Sequence, residues 1–375
     1  MSRIVQLANF VTPTSGGVRT VLAALAAGYA RAGHEVVQVV PGRTDAVHTT
    51  PWGRRVELRA PQLPGTGYRM LTDVRKVTTA LALLEPDRVE VHDRTTLRPV
   101  GRWAAECGVP SIVVSHERLD RWLHQWLSAR LPLDRMADHS NSALAETFGT
   151  VVCTTDWAAQ EFARLVGCTV HRVPLGVDLT SFRPADAAPP GTVTRLVMAS
   201  RLSKEKRPDL AVGAARELSQ RGLDVRLGVA GSGPLEASLR RRAAGAPVDW
   251  LGFVAGTGAM SSLLGGADVV VAPGPVETFG LSALEALACG TPVVSNIHSA
   301  VPEVVGDAGR ASASTPRSFA DAVEALLAVP ADERRRRARA RAELFPWSAT
   351  VEGFLRAHRL PLAPRRAADR VPASS

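Results

Sequence analysis

Two successive runs of apolar strands alternating with helices constrain this chain more than any other feature. Ile4–Leu7 is a short apolar run, Val18–Ala32 has apolar residues at helical spacing and stops at Gly33, and Glu35–Val40 reads as the next strand. The alternation continues through Arg88–Val91, Ser111–Ser115 and Val151–Thr154. These strands are apolar throughout instead of at every second residue, as expected of a parallel sheet covered by helices on both faces. The pattern breaks at Pro174–Asp178 and the Pro- and Ala-rich stretch Phe182–Gly191, which reads as a connection between domains. It restarts over Arg195–Ala199, Val225–Ala230, Val248–Leu251, Val269–Ala272 and Pro292–Ser295.

The expected fold class is therefore α/β: two Rossmann-like, doubly wound parallel-sheet domains facing each other across a cleft. A length of 375 residues suits two ordinary cores. The expected division is 1–176, 177–345, a helix over 346–360 packing back toward the first domain, and a disordered tail over 361–375. Such sheets bind ligands outside the carboxyl ends of their strands, which puts the site in the cleft.

Charge and composition narrow the partners. Lys and Arg outnumber Asp and Glu by 45 to 36, and the net charge of +9 suits a diphosphate ligand or an anionic membrane surface. Aromatic residues are only 5% and no nucleic-acid-reading motif occurs, so nucleic acid is excluded as a partner. Cys107, Cys153, Cys168 and Cys289 lack CxxC spacing and read as free, mostly buried thiols. The N-terminus has no export signal and no apolar run is long enough to span a bilayer, so the expected location is the cytoplasm.

The strongest chemical signal is Pro273–Pro292. The apolar strand Val269–Ala272 empties into a Gly/Pro loop, and a helix is expected to start near Phe279 and end at Gly290. Glu277 precedes that helix and Glu285 lies in its second turn, so both can face the cleft. A helix N-terminus supplies free N–H groups and a positive dipole end for a diphosphate, and the carboxylates can accept from sugar and ribose hydroxyls. A second constellation, Arg201 and Lys206, follows the first strand of the second domain. Two cations five residues apart can neutralise a leaving diphosphate. Gly16 and Gly17 sit between the first strand and first helix, without the third glycine of a dinucleotide fingerprint or a P-loop lysine. Gly231-Ser-Gly233 reads mostly as a turn. His116 ends an apolar strand of the first domain, and His92-Asp93 at another strand end either lines an acceptor pocket or caps a helix. No DxD occurs, so a metal-bridged diphosphate is not expected.

The frame "ETFGLSALEALACGTPVV", with seven residues between Glu277 and Glu285, resembles the signature of the GT4 family of retaining GT-B glycosyltransferases. The resemblance runs from "VQLANFVTPTSGGVRT" to "ELFPWSATVEGFLRAH". It implies that Glu277 contacts the donor sugar and Glu285 the ribose. The backbone of Thr278, Phe279, Gly280 and Leu281, together with Gly16, Gly17 and Val254, would hold the donor. Arg201, Lys206 and His116 would serve the reaction, with no metal ion and no other cofactor. "GGVRT", "VVSHERLDRW", "VVCTTDWAAQEF" and "APGPVETFGLSALEALACGTP" are similar to one branch, the actinobacterial mannosyltransferases of phosphatidylinositol mannosides. That branch implies GDP-mannose as donor, a glycolipid acceptor, and a peripheral place on the inner face of the plasma membrane.

One departure keeps a UDP-sugar open. Where guanine-using relatives often carry an Asp after the strand ending at Val254, this chain has Ala255-Gly-Thr-Gly258. Another glycoside as acceptor also stays open, and a GT-B-fold sugar-nucleotide epimerase is the rival enzyme class. The segment Arg118–Arg130, with Trp122 and Trp126, reads as a helix face packed in the core ahead of one docked on a membrane. The Arg run over 334–341 reads as a solvated helix face ahead of a phosphate or membrane patch.

Overall fold

The computed structural model describes residues 1–12, 16–64, 67–128, 130–165, 167–184 and 193–362. The expected tail from 363 onward, most of the connecting stretch up to 192, and the side chain of Trp126 lie outside the described residues.

The first domain carries eight strands: β1 (Arg3–Leu7), β2 (Glu35–Gly42), β3 (Ala46–Thr50), β4 (Gly53–Arg59), β5 (Arg88–Val91), β6 (Ser111–Ser115), β7 (Thr150–Cys153) and β8 (Thr169–Arg172). Their order across the sheet is β3-β4-β2-β1-β5-β6-β7-β8, parallel except for the antiparallel β3–β4 pair at one edge. The second domain has β9 (Thr194–Ala199), β10 (Val225–Ala230), β11 (Val248–Gly252), β12 (Val269–Ala272), β13 (Val293–Asn296) and β14 (Gly309–Ser312), ordered β11-β10-β9-β12-β13-β14 and parallel throughout. In each sheet the order reverses beside the first strand of the domain, and there a cleft opens at the carboxyl ends.

Most strands legible in the sequence are buried on both faces, as Val5, Val37, Val89, Val113 and Val151 show; the edge strand β11 is the exception. Those it did not show are β3, β4, β8 and β14, which lie at or next to sheet edges. β3 and β8 hold mostly polar or half-exposed residues, so they carry no continuous apolar run. The first helix, Gly17–Arg31, buries Val21, Leu22, Leu25, Ala26 and Tyr29 on one stripe, and Gly33 ends it in the left-handed region at φ +86°.

The chain crosses between domains twice, and the two crossings lie side by side. Val177 N–H donates to the Phe345 carbonyl at 2.9 Å, and the helix Trp347–Ala357 then lies against the first domain. Gly28 of the first helix makes that docking possible, because a Cβ there would overlap both methyls of Val351. Alanine in a helix interior ordinarily stabilises relative to glycine by about 1 kcal/mol. Gly28→Ala is expected to reverse that sign and destabilise by about 1–3 kcal/mol through overpacking. A thermal melt decides it, since a raised Tm would mean that the C-terminal helix does not dock on this stripe.

The Arg-rich helix, Ala331–Glu343, departs from the expected solvated face. Arg335 donates to the Gly265 and Ala267 carbonyls, Arg339 to Ala288 and Phe182, and Arg341 to Val304 and Glu303. The Gly265, Ala288, Glu303 and Val304 carbonyls lie at the ends of three other helices, so the guanidiniums satisfy orphan acceptors at the negative ends of helix dipoles. Arg337 pairs with Glu333 on the outer face, where the solvated reading holds.

The Arg118–Arg130 segment is divided instead of being core. Helix Leu119–Trp126 turns Leu123 inward against Leu133 and Ala137, while Trp122 is 45% exposed and Leu127 40%.

Candidate active site

A cavity of about 640 Å³ lies between the domains. Thr12, Gly16 and Tyr68 line it from the first domain, and Arg201, Val254 and Met260 from the second. Gly231, Ser232 and Gly233 line it too, so this turn takes part in the site and is more than a connection. A Cβ on Gly231 would run into the Ser200 carbonyl, and φ is +135° there, which is why glycine is required beside the Arg201 loop. The Arg201 guanidinium stands over the Tyr68 ring, 5.4 Å from its centroid, so a first-domain aromatic positions a second-domain cation.

Lys206 and Glu277 are not among the lining residues; they form an ion pair with each other, both side chains about a quarter exposed (28% and 26%). The helix after Glu277 starts at Leu281, two residues later than expected, because Gly280 adopts φ +86°. A Cβ on Gly280 would come within 2.7 Å of Val301 Cγ2, so glycine is needed on two counts. No side chain caps this helix, which leaves its first N–H groups free for an anion. Leu281 Cδ1 lies 3.8 Å from the Cβ position of Gly17, so the two-glycine loop and this helix start face each other. Phe279 is buried edge-on against Phe345 and presents only its backbone.

Thr278 ties the domains together. Its hydroxyl donates to the His116 carbonyl at 2.6 Å, and its carbonyl accepts from Thr155 Oγ1 at 2.9 Å. Glu303 of the second domain accepts from the Asp156 and Trp157 N–H groups at 2.9 and 3.1 Å, neutralising the start of a first-domain helix.

Burial pushes the Glu285 carboxyl up to about 7. A raised carboxyl pKa means that the folded state prefers the proton, so a stability cost appears as pH rises past the ordinary carboxylate range and is complete above about 7. Glu285→Gln is expected to stabilise the fold at pH 8 by on the order of 1–3 kcal/mol, seen as a raised Tm, and to do little at pH 5. Melts of both proteins at the two pH values test this, and equal curves at pH 8 would refute the buried-acid account.

His116 is the end of a buried chain that the sequence did not reveal. His92 Nδ1 lies 2.8 Å from His116 Nε2, with the two rings stacked at 5.1 Å. His92 Nε2 lies 2.7 Å from Glu90 Oε1, and the same carboxylate accepts from Gln6 Nε2 and from the Tyr29 hydroxyl. His358 Nε2, just past the C-terminal helix, completes the set at 2.9 Å from Glu90 Oε2. His92 is thus neither an acceptor-pocket residue nor a helix cap, whereas Asp93 folds back on Thr95 N–H at 2.8 Å as a turn residue. Burial opposes the Glu90 charge, but the hydrogen bonds from His358 and His92 outweigh it and hold the carboxyl well below its usual range. Burial, helped by His92, pushes His116 down to about 3, so its imidazole is neutral at working pH. The available signal was Glu90 at an inward position of an apolar strand, with His92 two residues on and therefore on the same face.

The His116 loop is held from behind by Arg94, which donates to the Glu117 carbonyl at 2.9 Å and pairs with buried Glu161. Among the described residues, no group of three or more His, Cys, Asp or Glu side chains could hold a metal ion.

Residues 15–181 match the family described as Glycosyltransferase Family 4, and residues 182–344 that described as Glycosyl transferases group 1. The chain belongs to glycosyltransferase family 4. A GDP-mannose-dependent alpha-(1-6)-phosphatidylinositol dimannoside mannosyltransferase of Mycobacterium tuberculosis is 44% identical over 94% of this chain and 95% of its own. A D-inositol 3-phosphate glycosyltransferase of Pseudarthrobacter chlorophenolicus is 28% identical over 90% and 88%. Sucrose-phosphate synthase from Thermosynechococcus elongatus has the same fold, with a TM-score of 0.79 at 20% identity over 96% of this chain and 98% of that one. The enzyme is a glycosyltransferase of GT-B architecture, and the cleft between its domains is the candidate active site.

Proposed function

We propose that this glycosyltransferase moves mannose from GDP-mannose to a phosphatidylinositol mannoside, retaining the anomeric configuration and needing no metal ion. The observation that carries the reading is the 44% identity, spread over 94% of the chain, to the mycobacterial mannosyltransferase. The donor diphosphate lies at the start of helix Leu281–Ala288, against the Gly16-Gly17 loop. Glu277 takes sugar hydroxyls, Glu285 the ribose, and Val254 adjoins the base. When the bond from C1 to the phosphate oxygen breaks, its electron pair goes to that oxygen, where Arg201 and Lys206 offset the charge. The acceptor oxygen bonds to C1 on the same face, and its proton passes to the departing phosphate. His116, neutral, hydrogen-bonds the transferred sugar.

The acceptor implies a membrane surface, and no helix among the described residues is long and apolar enough to cross one. The exposed Trp122, Leu127 and Leu131, interspersed with Arg121 and Arg130, supply a face for reversible docking on anionic lipid from the cytoplasmic side.

The loop Ala255–Gly258 has no carboxylate for the guanine edge, which favours a UDP-sugar as the second reading. A thermal-shift titration with GDP, UDP and ADP separates them, because a ligand at a hundredfold excess over its Kd adds about 2.7 kcal/mol to the folded state. Selective stabilisation by GDP is expected, followed by faster transfer to acceptor in anionic liposomes than in neutral ones. Selective stabilisation by UDP would refute the mannosyl donor, and equal rates in both liposomes would refute the docking face.

A further inference from the structure

A second cavity, of about 660 Å³, lies wholly within the first domain. Arg19, Arg43, Arg55 and Arg69 line it, with Glu57 as the one acidic residue and Gln62 beside it. Arg55 and Glu57 stand two residues apart on β4 and so point to the same face. Their partners across the ladder are Gln38 and Val40 of β2. Arg43 directly follows β2, so the cavity opens at the carboxyl ends of two parallel strands, where α/β sheets take ligands. The guanidiniums of Arg55 and Arg69 are held by neutral oxygens. Arg69 Nη1 donates to the Ala60 carbonyl at 2.7 Å, and Arg55 reaches Gln38 Oε1 only at 3.5 Å. The Arg55 Nε is buried without a hydrogen-bond partner. Four arginines, the buried Arg55 Nε and a single carboxylate make a cavity whose chemistry suits an anion.

The cavity adjoins the catalytic cleft. Thr12 and Gly67 line both, and Tyr68, which faces Arg201 in the cleft, is next to Arg69, which faces this cavity. The wall is pinned by Leu63 N–H on the Tyr68 carbonyl at 2.8 Å and by Phe10 edge-on to Tyr68 at 5.6 Å. The basic side chains lining it are all arginines, whose planar forked donors match two oxygens of a phosphate. The donor diphosphate has its own cations in Arg201 and Lys206. The acceptor's phosphate is attached to inositol, at least one sugar ring from the hydroxyl that reacts, and must rest away from the transfer centre.

We propose that this arginine cavity binds the phosphodiester of the glycolipid acceptor, so that the wall at Tyr68 separates the acceptor's phosphate from its reacting sugar. The proposal rests on the phosphatidylinositol mannoside reading given above.

The test uses the full chain and two variants, Arg43→Gln/Arg69→Gln and Arg55→Gln, each checked by circular dichroism. Calorimetry measures binding of glycerophosphoinositol, inorganic phosphate and, separately, GDP. Losing charge-assisted contacts is expected to weaken the double variant for glycerophosphoinositol by about tenfold or more, with GDP affinity unchanged. Transfer assays then compare phosphatidylinositol mannoside with a phosphate-free alkyl mannoside. The KM should rise about tenfold for the first only. Wild-type affinity in the exposed double variant overturns the proposal even if Arg55→Gln fails to fold. Inorganic phosphate binding as tightly as the diester overturns the headgroup assignment in favour of a free-phosphate site. If the diester binds and the variants lose it, yet no mannose is transferred from GDP-mannose, the cavity stands and the functional reading falls.

Discussion

Glu277→Ala is expected to lower kcat about 10²–10³-fold while leaving the melting temperature within about a degree of the parent. The two halves of that expectation have different causes. Glu277 and Lys206 are each about a quarter exposed, and an ion pair in that setting contributes roughly 0–1 kcal/mol to folding. In the proposed donor complex the same carboxylate takes sugar hydroxyls as the glycosidic bond breaks, where charge is developing, and one such contact contributes about 3–4 kcal/mol to the barrier. Removing it also releases Lys206 from its partner, so the cation meant for the departing phosphate is no longer held beside the loop. Lys206→Ala should therefore fall by a similar factor, and the double variant by less than the product of the two, because the residues act as a unit. Single-turnover rates with saturating donor, together with melts, make the measurement. A fully active Glu277→Ala protein would remove the central claim about this site.

Glu90→Gln is expected to cost both stability and activity. The buried carboxylate accepts from Gln6, Tyr29, His92 and His358 at once. An amide offers one oxygen and turns an NH2 group toward donors, so at least two hydrogen bonds become donor against donor. Breaking a buried charged set from one side costs about 3–5 kcal/mol. The catalytic effect runs through His116. With Glu90 ionised, His92 donates to it from Nε2, which fixes the ring whose Nδ1 faces His116 Nε2 and with it the hydrogen bond between the two rings. Without the carboxylate that hold is released, and a loss of about tenfold to a hundredfold in kcat is expected, by analogy with second-shell groups that orient imidazoles. The pH dependence has a definite sign. His116 is held near 3 in the folded state, so an unfolded chain binds the extra proton below about 6.5, and stability falls as pH drops from there. Glu90, held low, adds a loss in the same direction once the pH reaches the ordinary carboxylate range. Melts between pH 8 and 3 should show an acid decline in the parent whose carboxylate part, below about 4.5, is missing in Glu90→Gln, while the His116 part persists. An unchanged Tm and kcat in the variant would show that the chain of rings is packing only.

The arrangement also explains why a residue near the C-terminus bears on the cleft. His358 reaches Glu90 because the chain returns to the first domain after Phe345, and Arg88 secures that return by donating to the His358 carbonyl at 3.0 Å. Truncating the terminal helix would therefore remove one of the donors that hold Glu90 ionised.

The sequence by itself determined the two-sheet architecture, the central strands, the first helix with its stop at Gly33, and the glutamate frame. Each of these is a local pattern: a doubly covered strand is mostly apolar on both faces, and a left-handed helix end favours glycine. It did not determine β3, β4, β8 and β14, at or next to sheet edges, whose residues carry no continuous apolar signal, although the edge strand β11 was legible. Nor did it fix the fate of the arginines at 335, 339 and 341, because their acceptors are helix ends far away in sequence. The same holds for the chain from His116 to Glu90 and His358. The partners lie 24, 2 and 268 residues apart along that chain, and only the stacking of β5 beside β6 and the return of the C-terminal helix bring them together. Residue types and their spacing fix what a side chain can do; which charges meet, and which are buried when they do, is decided by long-range packing that no local pattern encodes.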